Sequence, residues 1–112
     1  MSFAIEIPTT GGYTVHEYTK ETGPLPLAGL QAMVGGYIEP LPVNTGKYKM
    51  EFYADEEGKL KGYDVNPLAS ALIDKLNAYA KHYEITPVVG TIVAETRSRK
   101  AVEYLTGLLD EL

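Results

Sequence analysis

The chain has no cysteine and no tryptophan, two phenylalanines and two histidines. Without cysteine there is no disulfide, no thiolate nucleophile and no Cys-based zinc or iron–sulfur centre. No apolar run approaches the roughly 20 residues that span a bilayer, and Met1 to Pro8 lacks the basic start and long apolar centre of a signal peptide. The expectation is therefore a soluble cytoplasmic protein with no membrane partner. Positive charge is also scarce: ten Lys and Arg face fifteen Asp and Glu, giving -5 at pH 7. A protein that tracks phosphates usually carries a positive face, so this balance argues against nucleic acid as a partner.

What is present is enough for one folded domain. The 112 residues are 45% hydrophobic and 22% charged, sufficient for a single core without a staple. The aromatic content is unusual in kind, with nine tyrosines. Tyrosine combines apolar area with a hydroxyl, which suits half-exposed strand faces and contact surfaces.

Phe3 to Ile7 and Tyr13 to Tyr18 alternate in character around the turn-rich Pro8-Thr9-Thr10-Gly11-Gly12, a β-hairpin pattern. Glu21 to Pro26 reads as a loop. Leu27, Leu30 and Val34 then share one helical face, and Gly35 stops that short helix. Tyr37 to Val43 reads as an edge strand, because Pro40 and Pro42 withhold donors on one side. Tyr48 to Ala54 reads as a half-buried strand, and Asp55 to Gly58 as a turn.

Asn66 and Pro67 mark a helix start, followed by the stripe Leu68, Leu72, Ile73, Leu76, Tyr79, Ala80 and Tyr83, with Lys81 and His82 near its end. Val88 to Ala94, with Gly90 inside, reads as a central strand covered on both faces. Ala101, Val102, Leu105, Leu108, Leu109 and Leu112 recur at helical spacing in a last amphipathic helix. The order ββαββαβα predicts a single α+β domain over residues 1–112, with helices packed on a mixed or antiparallel sheet of about five strands.

Val34-Gly35-Gly36-Tyr37-Ile38-Glu39, Glu56-Glu57-Gly58-Lys59-Leu60, Asn66-Pro67-Leu68-Ala69 and Val89-Gly90-Thr91-Ile92-Val93 together resemble a family of small bacteriophage and prophage proteins, a domain of unknown function. The resemblance covers a core of about residues 3–93, leaving the helix of about 99–112 as an addition. It departs at Ala54-Asp55, where the family's turn opens with Asn. It implies a setting rather than an activity: an accessory protein of a virus or mobile element, working in the host cytoplasm.

No residue set announces catalysis. Gly35-Gly36 follows a helix and precedes a strand, the reverse of a nucleotide loop, so a helix stop is the better reading. Glu39 would become a general base only beside a group that raises its pKa, and the sequence names none, so a solvated carboxylate is expected. His16 and His82 lie on different elements without metal-ligand spacing, and Ser2, Ser70 and Ser98 include no nucleophile elbow. No metal and no cofactor is expected, and an enzyme is the less favoured class.

Arg97, Arg99 and Lys100 form the main basic cluster. They open the last helix while Asp110 and Glu111 close it, both against the helix dipole at a cost of about 0.3–1 kcal/mol per placement. Antiparallel pairing of two such helices would match Arg99 and Lys100 with Asp110 and Glu111 of a second copy, giving a homo-oligomer. The alternative is a solvated face with local ion pairs.

Three function classes follow. The leading one is a non-enzymatic interaction protein that modulates a host protein, a defence system being one candidate. The second is a binder that sequesters a nucleotide-like small molecule through Arg97, Arg99 and Lys100, with tyrosines stacking on the base. The third is an acidic DNA mimic or a nucleotide-acting enzyme. Tyr37, Glu39, Asn66, Arg97, Arg99 and Lys100 are the candidate binding residues, and a common cavity lined by Tyr37, Glu39, Asn66 and Arg97 would favour a ligand.

Overall fold

The computed structural model describes residues 1–19, 27–78 and 84–112. The loop expected at Glu21 to Pro26 and the helix positions Tyr79, Ala80, Lys81, His82 and Tyr83 lie outside the described residues. The elements are β1 (Ser2–Ile7), β2 (Thr14–Tyr18), α1 (Leu27–Val34), β3 (Ile38–Leu41), β4 (Glu51–Asp55), α2 (Pro67–Leu76), β5 (Ile92–Thr96) and α3 (Arg99–Glu111). This is the expected ββαββαβα order in an α+β fold.

The five strands form one antiparallel sheet in the order β2-β1-β5-β4-β3. β5 is central, in keeping with its buried apolar run Ile92-Val93-Ala94, and β3 with Pro40 is an edge, where a missing donor breaks no ladder. One face, with Ile5, Ile7, Phe52, Ala54, Ile92 and Ala94, packs on Leu72 and Ile73 of α2 and Leu105 and Leu109 of α3. The other face buries Ala4 and Val93 under Leu30 and Val34 of α1. Covered on both sides, β1 and β5 can bury adjacent residues such as Ala4-Ile5 and Val93-Ala94, so they lack the alternation of a half-solvated strand.

The helix boundaries follow local chemistry. At the α2 start Asn66 is an extended N-cap whose side chain accepts from Ala69 N, and Pro67 occupies the first turn. Ser98 caps α3 in the same way by accepting from Ala101 N. α1 ends where Gly35 enters the left-handed region at φ +92, its N–H closing on Gln31 O at 2.8 Å. Leu27, expected on the buried stripe, is exposed at the first turn of α1.

Three strands differ from the pattern-based expectation, the simplest being β3, which runs Ile38–Leu41 and leaves Tyr37, Pro42 and Val43 outside it. Tyr48 belongs to a turn rather than a strand: Thr45 Oγ1 donates to Tyr48 O at 2.7 Å, and Tyr48 N donates to Thr45 O at 3.2 Å. Its ring stacks on Tyr104 of α3 with centroids 4.7 Å apart. Val88 to Gly90 precede β5 instead of opening it, because their backbone bonds go to the segment before α2. Asn66 N donates to Val88 O at 2.9 Å and Gly90 N donates to Asp64 O at 2.9 Å. Gly90 has φ +75, which no strand residue adopts.

Candidate functional site

β4 delivers Asp55 to the sheet end at which α1 stops, and the loop that follows returns Lys61 and Tyr63 to it. The Asp55 carboxylate is 2% exposed. Its Oδ2 accepts from Lys61 Nζ at 2.7 Å and from Tyr63 OH at 2.9 Å, and its Oδ1 accepts from Glu57 N at 2.9 Å. Lys61 Nζ also donates to Gly35 O at 3.0 Å, so one ammonium ties the end of α1 to the end of β4. Lys61 holds the Asp55 carboxyl below its ordinary range against the opposing effect of burial, with Glu57 N–H and Tyr63 OH adding to it. In return Asp55 raises the Lys61 ammonium above its usual value.

The glycines around this carboxylate serve contact as much as turning. A Cβ on Gly36 would stand 2.9 Å from both Asp55 oxygens and 2.6 Å from Lys61 Nζ. Around the Tyr63 ring, a Cβ on Gly35 would stand 2.8 Å from the hydroxyl, one on Gly90 2.6 Å from Cδ2, and one on Gly58 3.4 Å from Cδ2. Three glycines from three separate segments thus form a socket for Tyr63. Gly35-Gly36 is a helix stop, as expected; Gly35 is also a wall of this socket, while Gly36 faces Asp55 and Lys61. The position beside it is filled by a carboxylate, not left open for a phosphate.

Asp55 is the meeting point of two clefts. One, of about 310 Å³, is lined by Gln31, Gly36, Tyr37, Asp55, Glu57 and Lys61. The other is a groove of about 650 Å³ running from Glu39 and Leu41 of β3 past Asp55 and Leu60 to Glu84 through Val89. Tyr37 is 70% exposed and Leu60 88% exposed, large apolar surfaces beside these clefts. A third cavity, of about 480 Å³, touches the other side of the Tyr63 socket at Gly35, Gly62 and Gly90.

The six candidate residues do not share a cavity. Tyr37 and Glu39 line the two clefts that meet at Asp55. Asn66 is fully buried, with Nδ2 donating to Ile7 O at 2.8 Å and Gly90 O at 2.9 Å while Oδ1 caps α2. Its side chain is spent on joining α2 to β1 and to the approach to β5. Arg97 and Lys100 are exposed and line none of these three cavities. Arg99 donates to Glu17 Oε1 at 3.2 Å and lies over the Phe3 ring. At the far end of α3, Tyr13 OH donates to Asp110 Oδ1 at 2.5 Å and Lys75 lies 3.5 Å from Glu111. Arg99, Asp110 and Glu111, three of the reversed charges of α3, therefore have partners within the chain.

A second acidic region lies on the α1 side of the sheet. Glu51 stands opposite Glu95 in the β4–β5 register. Burial raises the Glu95 carboxyl, Arg97 lowers it and Glu51 raises it, for a net upward shift. Tyr53 is raised by burial and then by Glu95 and Glu51. Among the described residues no group of three or more His, Asp and Glu side chains is placed to hold a metal ion. No helix among them is long and apolar enough to cross a membrane.

Lys61 and Tyr63 escape a motif-based reading because neither stands in the glycine-bearing patterns. The signal was a spacing: cation and phenol six and eight residues beyond a carboxylate that ends a strand. The charge at position 55 matters to the cluster, since an amide there would give Lys61 no charge to pair with.

Comparison with known families places the chain: residues 6–110 match DUF3846, a domain of unknown function, and the chain belongs to that family. The match runs through α3. No curated protein matches the chain. No solved structure matches it either.

Proposed function

We propose that this member of the DUF3846 family is a non-enzymatic binding protein of a bacteriophage or other mobile element, acting in the host cytoplasm on a host protein, with a defence system as one candidate. The observation that carries the reading is the contrast at Asp55. The charged groups of the buried cluster are consumed by each other, whereas the groove beside it is open, partly apolar and bordered by the exposed Leu60. A closed cluster offers no free acid or base, and an open concave surface with an exposed apolar residue is what a contact site needs. The phage setting is supported by the resemblance of the four glycine- and asparagine-bearing segments.

The test is site-specific photocrosslinking in cells that carry the mobile element, with the crosslinker placed at Leu60 and, as a control, at Lys100. A single host protein joined from position 60 and not from position 100 is the expected result. Absence of any adduct from position 60, together with a thermal shift on adding nucleotides, would replace this reading with small-molecule binding. A ligand at 100 times its Kd adds about 2.7 kcal/mol.

A further inference from the structure

We infer that the groove between β3 and the segments 56–60 and 84–89 takes a peptide segment of a partner protein in which an apolar residue is flanked by lysine or arginine. The inference rests on the protein-binding reading above and specifies the chemistry of the partner.

The groove has an apolar floor and an acidic rim. Leu41, Ile85 and Val88 pack against the main core while also lining it, so the floor is held in place by the fold. Leu60 projects at its margin, almost wholly solvated. Among the described residues that line it, Glu39, Glu56 and Glu84 are exposed along the rim, against one cation, Lys59. Asp55 does not add to this field, because Lys61 pairs with it at 2.7 Å. At about 650 Å³ the volume is that of a site for a few side chains.

This combination selects its occupant by elimination. A polyanion is repelled by the rim, which removes nucleic acid, and anionic headgroups are repelled in the same way. A purely polar cation would leave the floor and Leu60 wet. A peptide with an apolar anchor between basic residues satisfies both parts. It is held by side chains rather than by strand addition, because β3 presents Pro40, and Pro42 follows directly, both without an N–H to donate.

The test is selection of displayed random dodecapeptides on the full chain, followed by affinity measurement of the enriched peptides on variants. The expected result is enrichment of sequences with Leu, Ile, Met or Phe between Lys or Arg. Their affinity should fall at least about tenfold in Leu60→Asp, through the lost apolar contact. It should fall about threefold per substitution in Glu39→Lys and Glu84→Lys, and fall further with added salt. Glu103→Lys, an exposed site on α3, should leave it unchanged. All three groove positions lie on the surface, so folding is spared.

Enriched peptides that are acidic or uncharged, peptides indifferent to Leu60→Asp and to both charge reversals, or no enrichment at all would each overturn the inference. Its failure is separable from that of the wider reading. A host adduct from another surface would keep a binding function while removing the basic peptide, and basic peptides bound in vitro without any adduct in cells would do the reverse.

Discussion

Asp55 and Glu95 sit at the ends of neighbouring strands on one sheet, and their surroundings push their carboxyl groups in opposite directions. Asp55 is met by an ammonium, a phenol and a backbone N–H brought from the loop that follows it. Glu95 is met across the ladder by Glu51, with Arg97 as a partial counterweight. Loss of water is common to both, and the partner decides the sign. The glycines complete the contrast. Around Asp55 and Tyr63 side chains have been removed to let polar groups close on each other, while at Glu95 the sheet simply places like charges face to face.

The largest break in this comparison is expected from Gly90→Ala. The added methyl would stand 2.6 Å from the Tyr63 ring on a residue at φ +75, combining overpacking with a left-handed alanine for a loss of roughly 2–4 kcal/mol in urea unfolding. The cost should shrink when Tyr63 is also reduced to Ala, because both changes act on one contact. Additive losses would mean that Tyr63 is not what the glycine accommodates.

Asp55→Asn keeps the shape and removes the charge, and should cost about 1–3 kcal/mol at pH 7. Its sharper signature is in pH. The folded-state pKa of Asp55 lies below its unfolded value, so its contribution is full above the unfolded value and is lost as pH falls through the folded one. Wild-type stability should therefore decline more steeply in acid than that of the Asn variant. Parallel acid profiles would show that Lys61 gives the carboxylate nothing.

Glu95→Gln should act the other way. Its folded-state pKa is raised, so the ionised group opposes folding, and this penalty grows as pH rises through the folded value. Removing the charge should add about 0.2–1 kcal/mol at neutral pH, the scale of like charges opposed across strands. A thermal melt that moves down instead would make Arg97 the dominant neighbour. The smallest effect is expected at Glu111→Gln, whose pairing with Lys75 is 3.5 Å long and solvated. Stability should stay within about 0.5 kcal/mol.

The architecture was legible because each element carries a local reason. Asn66-Pro67 started α2, Gly35 stopped α1, Pro40 marked an edge, and apolar residues on both faces put β5 in the middle. The boundaries that moved did so through non-local bonds. Val88 to Gly90 have strand-like residues, yet the loop before α2 takes their hydrogen bonds. Tyr48 has strand character but is held by Thr45 and by Tyr104 of α3. The site was legible only in part. Tyr37 and Glu39, named as binding candidates, line the two clefts that meet at Asp55. Asn66, by contrast, looked like a binding residue because a capping amide and a binding amide have the same letter. Lys61, Tyr63 and the rim residue Glu84 come together only once the chain has folded.

β5 has a further consequence for how the chain is made. The pairs β1–β2 and β3–β4 each lie in one stretch of the first half of the sequence, but only β5 joins them. Gly90, which closes the seat of Tyr63, comes at the same late point. During synthesis the two halves of the sheet must wait as separate ribbons with open edges until residues 92–96 leave the ribosome, so the nascent chain spends most of its emergence in the state most exposed to wrong pairing.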